Sequence, residues 1–185
     1  MTPDQFACAA EPKEAELDIA RGFNGNRDAT RSFLEKHWDT FIKEGDFGYL
    51  ASLGINTVRL PIGFWNLPPE YIEDTPFQDV ADVYRSSWPR IKRAINHAAK
   101  NRIGVIIDLH GAPGSQNGEQ HSGMSGGKKE FFTNEGYQQK TIDGLVFLAK
   151  ELAQVNNVVG LQLLNEPQFT ENLLSFCEII GYSYA

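Results

Sequence analysis

Cysteine is nearly absent from this chain: Cys8 and Cys177 are the only two in 185 residues. They stand near opposite ends, so they are expected either to form one disulfide or to be two small buried thiols. Neither a CxxC pair nor a Cys/His zinc spacing occurs, which leaves no basis for a structural zinc site. Long apolar runs are missing as well. Ile103–Leu109 and Val158–Leu164 are the longest; they have the length of strands and fall far short of the ~20 residues that span a bilayer. Positive charge is scarce, with 17 Lys and Arg against 24 Asp and Glu and a net charge of -7. Such a chain has no global electrostatic attraction to nucleic acid or to an anionic membrane, and a dense basic step such as Lys128-Lys129 is too small to change that. No Asn-x-Ser/Thr sequon is present. The opening Met1-Thr-Pro-Asp-Gln-Phe6 lacks the basic start and apolar stretch of a secretory leader, and Gly181–Ala185 shows no lipidation or retention signal. What remains is a globular balance, 41% hydrophobic and 22% charged, with enough apolar surface to offset chain entropy.

Residues 1–27 read as an irregular segment ending in the turn-rich Gly22–Asn26. Asp28 is a plausible N-cap for a first helix through Trp38, and His37-Trp38 is expected to pack that helix onto the rest of the domain. Phe47, Leu50 and Leu53 at helical spacing, followed by Gly54, predict a second short helix. A β-branched strand, Ile55–Leu60, is expected to stop at Pro61. Then the pattern repeats. Apolar positions spaced by three and four predict helices over Asp79–Arg102 and Asn134–Gln154, and each is followed by a strand, Ile103–Leu109 and Val158–Leu164. A long Gly-rich loop fills His110–Lys129, and Glu171–Ile180 predicts a last helix.

Strands about 50 residues apart with a helix between them imply parallel strands joined by right-handed crossovers. Runs as apolar as Ile103–Leu109 fit strands covered on both faces. A doubly wound sheet and a (β/α)8 barrel both meet these conditions. The doubly wound reading needs a phosphate loop after the first strand, yet Pro61-Ile-Gly-Phe-Trp65 is no GxGxxG, and Gly118–Lys128 is no Walker sequence. Polar residues cluster instead at the C-terminal ends of strands: Arg59, then Asp108 and His110, then Asn165 and Glu166. That is the rim at which a barrel enzyme assembles its site. The expected fold is therefore α/β of the (β/α)8 TIM-barrel type, over residues 28–185, with three or four of the eight strands.

Asn165-Glu166-Pro167 is the most informative tripeptide. Glycosidic cleavage needs two carboxyl groups, one protonated to donate to the leaving oxygen. A Glu at a strand tip, partly desolvated beside a like charge, has the raised pKa this requires. The preceding amide can bond a sugar 2-hydroxyl, and Pro167 is expected to hold Glu166 in an extended conformation. The same residues also read as a strand end and a turn. His110 either orients an acid, binds a hydroxyl or is structural; Asp108 either satisfies backbone donors or faces the bowl as a second carboxylate. Arg59 is either a structural ion-pair partner or a group that keeps a carboxylate ionised. Phe64 and Trp65 are either core aromatics or a stacking wall for a sugar ring.

Together, "HWDTFIKEGDFGYLASLGINTVRLPIGFW", "VIIDLHGAPGSQNGEQHSG" and "LQLLNEP" resemble the fungal exo-β-1,3-glucanases, the glucan 1,3-β-glucosidase branch of glycoside hydrolase family 5, over roughly residues 28–167. The resemblance implies a (β/α)8 barrel that uses no metal or cofactor and cleaves β-1,3-glucan with retention, in the extracellular space or cell wall. It implies that Glu166 is the general acid/base, Asn165 the neighbouring sugar-contacting amide, His110 an active-site His and Arg59 the Arg near the nucleophile. His121 falls where the family carries a sugar-contacting Asn. The family's nucleophile, a Glu on the seventh barrel strand, and its stacking Trp have no counterpart in this sequence. "MTPDQF" resembles an internal stretch of the family, and "FCEIIGYSYA" does not read as its continuation. The chain is therefore expected to be a fragment or an incomplete gene product, inactive without its nucleophile. Two alternatives stand beside this reading: a non-catalytic remnant with weak glucan affinity, and a metal-dependent barrel hydrolase using Asp108, His110 and His121.

Overall fold

A computed structural model describes the backbone of residues 6–183 and the side chains of residues 6–180. Met1–Gln5 and Tyr184–Ala185, parts of the two terminal stretches read for signals above, lie outside the described residues. Strands β1 (Thr57–Gly63), β2 (Gly104–Gly111) and β3 (Val158–Gln162) form one parallel sheet in that order. Pro61 lies opposite Asp108, and Asp108 opposite Gln162; β3 ends there, while β1 and β2 run on to the pair Gly63 and Gly111. Helix α4 (Ser87–Lys100) links β1 to β2, α5 (Glu135–Leu152) links β2 to β3, and α6 (Glu171–Ser183) follows β3. This alternating run is an arc of a (β/α)8 barrel, with three strands among the described residues.

Several boundaries differ from expectation for local physical reasons. β1 runs through Pro61 to Gly63; it is an edge strand here, a position where a missing N–H is tolerated. The helix expected from Asp79 begins at Ser87, after a 3-10 stretch at Gln78–Val83. Pro89 explains this, since its absent N–H and its ring fit only the first turn of a helix. Helix α2 (Arg27–Thr40) is capped by Asn26, whose side chain accepts from the Ala29 N–H at 3.0 Å, rather than by Asp28. Asp28 sits in the first turn, paired with Arg31 at 2.8 Å. The second helix, α3 (Glu44–Ser52), is as expected, with Gly54 beyond it at φ 84.

The N-terminal segment is not irregular throughout. Glu16–Ala20 forms a short helix, α1, with Leu17, Ile19 and Ala20 buried in the core. Tyr84 donates its phenol O–H to Glu16 Oε1 at 2.9 Å, and burial pushes both groups' pKa values upward. Leu17 N–H bonds Gly123 O at 3.0 Å and Ser125 Oγ bonds the buried Asp18 at 3.1 Å, so this segment anchors the Gly-rich loop. The two cysteines correct the first expectation: both are free and exposed, neither paired nor buried.

The sheet has two unlike faces. Val105 and Ile107 of β2 are buried with Ile95 and Ala98 of α4 and Leu148 and Leu152 of α5. Side chains alternate along a strand, so Arg59, Ile106, Asp108, His110 and Gln162 share the opposite face. There Ile106 is half-buried and Arg59 is 47% exposed. The expectation of cover on both faces thus holds for one face only. At the periphery, Trp38 packs near Tyr84 with Arg90 over its ring. Hydrogen bonds from Arg90 and Arg93 hold the Asp39 carboxyl well below the usual carboxylate range, joining α2 to α4.

The outer edges of β1 and β3 have no partner strand among the described residues. Beside them lie apolar residues in water, with Phe41 63% and Val159 59% exposed. Open edges next to apolar surface template association. The isolated chain is therefore expected to bind a hydrophobic dye and to self-associate in sedimentation velocity. A compact monomer with a sharp thermal transition and no dye binding would refute this.

Candidate active site

Strands β1 and β2, the segment after β3 and one loop bring the predicted residues together; Arg59 lies within β1, opposite Ile106, rather than at its end, because the strand continues through Pro61. Arg59 projects from β1, and its Nη1 donates to Asn165 Oδ1 at 3.1 Å and lies 3.3 Å from Asp108 Oδ2. Asp108, in the middle of the sheet on β2, is 0% exposed and also meets His110 Nδ1 at 2.7 Å. A carboxylate oxygen is the acceptor in that contact, so His110 donates from Nδ1 and its Nε2 points away from Asp108. The His110 ring lies 5.2 Å from the ring of His121. His121 sits on the 3-10 turn Gln120–Ser122, and its Nε2 is 3.4 Å from Glu166 Oε2. Arg59, Asp108, His110, His121 and Glu166 thus form one continuous polar track, with Asn165 buried at its side.

Several expectations are corrected here. Glu166 is 73% exposed and faces a histidine, not desolvated beside another carboxylate. Its φ is 43, in the left-handed region rather than the extended one that Pro167 favours. Hydrogen bonds on both sides of it override the local preference. Phe64 and Trp65 are core aromatics: Trp65 is 6% exposed and stacks on Phe77 at 4.7 Å. A Cβ on Gly111 would come within 2.6 Å of the Trp65 ring, so a glycine is required where β2 leaves the sheet. The metal-dependent alternative loses its ligand set, because no group of three His, Cys, Asp or Glu among the described residues is placed to hold an ion.

The sequence reading passed over Gln116. It is fully buried, and its side-chain amide donates to His110 O and Asn165 O, each at 2.9 Å, while accepting from Ala112 N–H at 3.1 Å. Ser115 and Ser122 were also missed; both are buried and share a 2.6 Å hydroxyl contact that closes the loop carrying His121. The signal was present as amide and hydroxyl residues, Ser115-Gln116-Asn117 and Ser122 among them, inside a Gly-rich run, but only folding shows what they reach.

The family model described as Cellulase (glycosyl hydrolase family 5) matches residues 20–175. Over 141 residues the chain is 40% identical to glucan 1,3-beta-glucosidase 3 of Schizosaccharomyces pombe, covering 76% of this chain and 30% of that protein. Over 168 residues it is 37% identical to the probable glucan 1,3-beta-glucosidase A of Neosartorya fischeri, covering 90% and 38%. The chain thus spans about a third of the length of these curated relatives. A crystal structure of rutinosidase from Aspergillus niger superposes with a TM-score of 0.73 over 96% of this chain and 51% of that one, at 20% identity, which speaks to the fold alone. The chain belongs to glycosyl hydrolase family 5, and its three parallel strands and their helices form part of that family's (β/α)8 barrel.

Proposed function

We propose that this chain supplies the acid/base half of a retaining β-glucosidase site acting on β-1,3-glucan. The observation that carries the reading is Glu166 placed in solvent at the end of β3, with Asn165 beside it held by Arg59 at 3.1 Å. In the first step Glu166 gives its proton to the glycosidic oxygen as a second carboxylate attacks the anomeric carbon and the leaving sugar departs as an alcohol. In the second, the Glu166 carboxylate takes a proton from water, whose oxygen displaces the enzyme carboxylate. Asn165 bonds the 2-hydroxyl; His110, through Nε2, and His121 contact sugar hydroxyls. Arg59 holds the Asn165 side chain and pairs with Asp108. The substrate places the action at the cell wall or in the extracellular space. Among the described residues the other carboxylate on this face, Asp108, is enclosed, which favours a companion reading for the chain alone: weak glucan affinity without cleavage.

The test is a graft in which this chain replaces the segment it matches in the S. pombe glucosidase. The folded graft is expected to release glucose from laminarin. A folded graft without turnover, although the parent is active, would overturn the proposal.

A further inference from the structure

We infer that Gln116-Asn117 is a positioning clamp that holds Glu166 in its left-handed turn and so aims its carboxyl; this rests on the acid/base reading of Glu166. The two residues grip the segment on both sides. Gln116 Nε2 bonds the carbonyl of Asn165 at 2.9 Å, and Asn117 Nδ2 bonds the carbonyl of Glu166 itself at 3.0 Å. The Gln116 carbonyl accepts from Gln168 N–H at 3.1 Å. Three hydrogen bonds therefore span residues 165–168, all from one dipeptide on the loop after β2. The second Nε2 proton goes to His110 O at 2.9 Å. One side chain thus couples the backbone that carries His110 to the backbone that carries Glu166.

The residue types follow from this duty. Gln116 uses two donors and an acceptor at once, which a primary amide offers and an ionised carboxylate or an apolar chain does not. Removing it would take this partner from His110 O, Asn165 O and Ala112 N–H, and two of these three bonds are buried, where a lost partner costs most. The conformation it supports is one a non-glycine residue before proline avoids. Such a backbone persists only where its surroundings over-determine it. Here the surroundings are these hydrogen bonds, since the Glu166 side chain itself is mostly in solvent.

Asn117→Asp is the discriminating variant. It keeps the oxygen that accepts from Glu119 N–H at 2.9 Å, while the donor facing Glu166 O becomes an oxygen. In the isotope-labelled 185-residue chain, the Glu166 carbon shifts should leave their left-handed values while those of Ile107 in the sheet stay put. In the graft, glucose release from laminarin should fall about 10²-fold, the scale of a misplaced reacting group. Hydrolysis of a dinitrophenyl glucoside, whose leaving group needs little protonation, should change less than about threefold. Unmoved Glu166 shifts, or equal losses on the two substrates, would overturn the clamp. If Glu166→Gln also fails to separate the two substrates, the acid/base reading falls, and with it the aiming role.

Discussion

In the graft, Glu166→Gln is expected to lower glucose release from laminarin by about 10²–10⁴-fold, the usual contribution of a positioned general acid. The loss on a dinitrophenyl glucoside should be far smaller in the glycosylation step. The physical reason is the leaving oxygen. A sugar alkoxide is too basic to depart unprotonated, whereas dinitrophenolate leaves without help. Gln preserves the size of the side chain and its reach towards His121, so the change removes the proton and little else. Because Glu166 is 73% exposed, no buried network collapses with it, and the folded state should be unaffected. Measuring kcat and KM on both substrates decides the matter: equal losses on the two would show that Glu166 does not act as the acid.

The 185-residue chain by itself is expected to release no glucose from laminarin. A retaining site holds two carboxyl groups about 5–5.5 Å apart, and an inverting one about 6.5–9.5 Å, both facing the sugar. The strand ends offer Glu166 and one other carboxylate, Asp108. Asp108 is 0% exposed, and its Oδ2 is shared between Arg59 at 3.3 Å and His110 at 2.7 Å. A carboxylate so enclosed cannot approach an anomeric carbon or a water beside it. Loss of the nucleophile from a catalytic constellation costs about 10⁶-fold in another class of hydrolase, which would put turnover below detection. Glucose production that disappears in both Asp108→Asn and Glu166→Gln would overturn this expectation, because it would require Asp108 to act on substrate.

The order of the elements was legible in the sequence because it rests on local periodicity. Apolar positions three and four apart wrote α5, and short β-branched runs wrote β1 and β3. The rim was legible for a related reason. In a parallel βα repeat, polar residues at or past the C-terminal half of a strand fall at one end of the sheet, so His110, Asn165 and Glu166 group there from the sequence alone, while Arg59 reaches them from further back along β1. Their partners were not legible, because a hydrogen bond between residues 59 and 165, or 116 and 165, leaves no periodic trace. Tertiary structure alone decided that Asp108 is enclosed, that Trp65 is core, and that α1 anchors the loop of His121. It also decided the conformation of Glu166. Proline favours one backbone region there, and three hydrogen bonds from a distant dipeptide impose another, because together they outweigh a local steric preference that acts on a single residue.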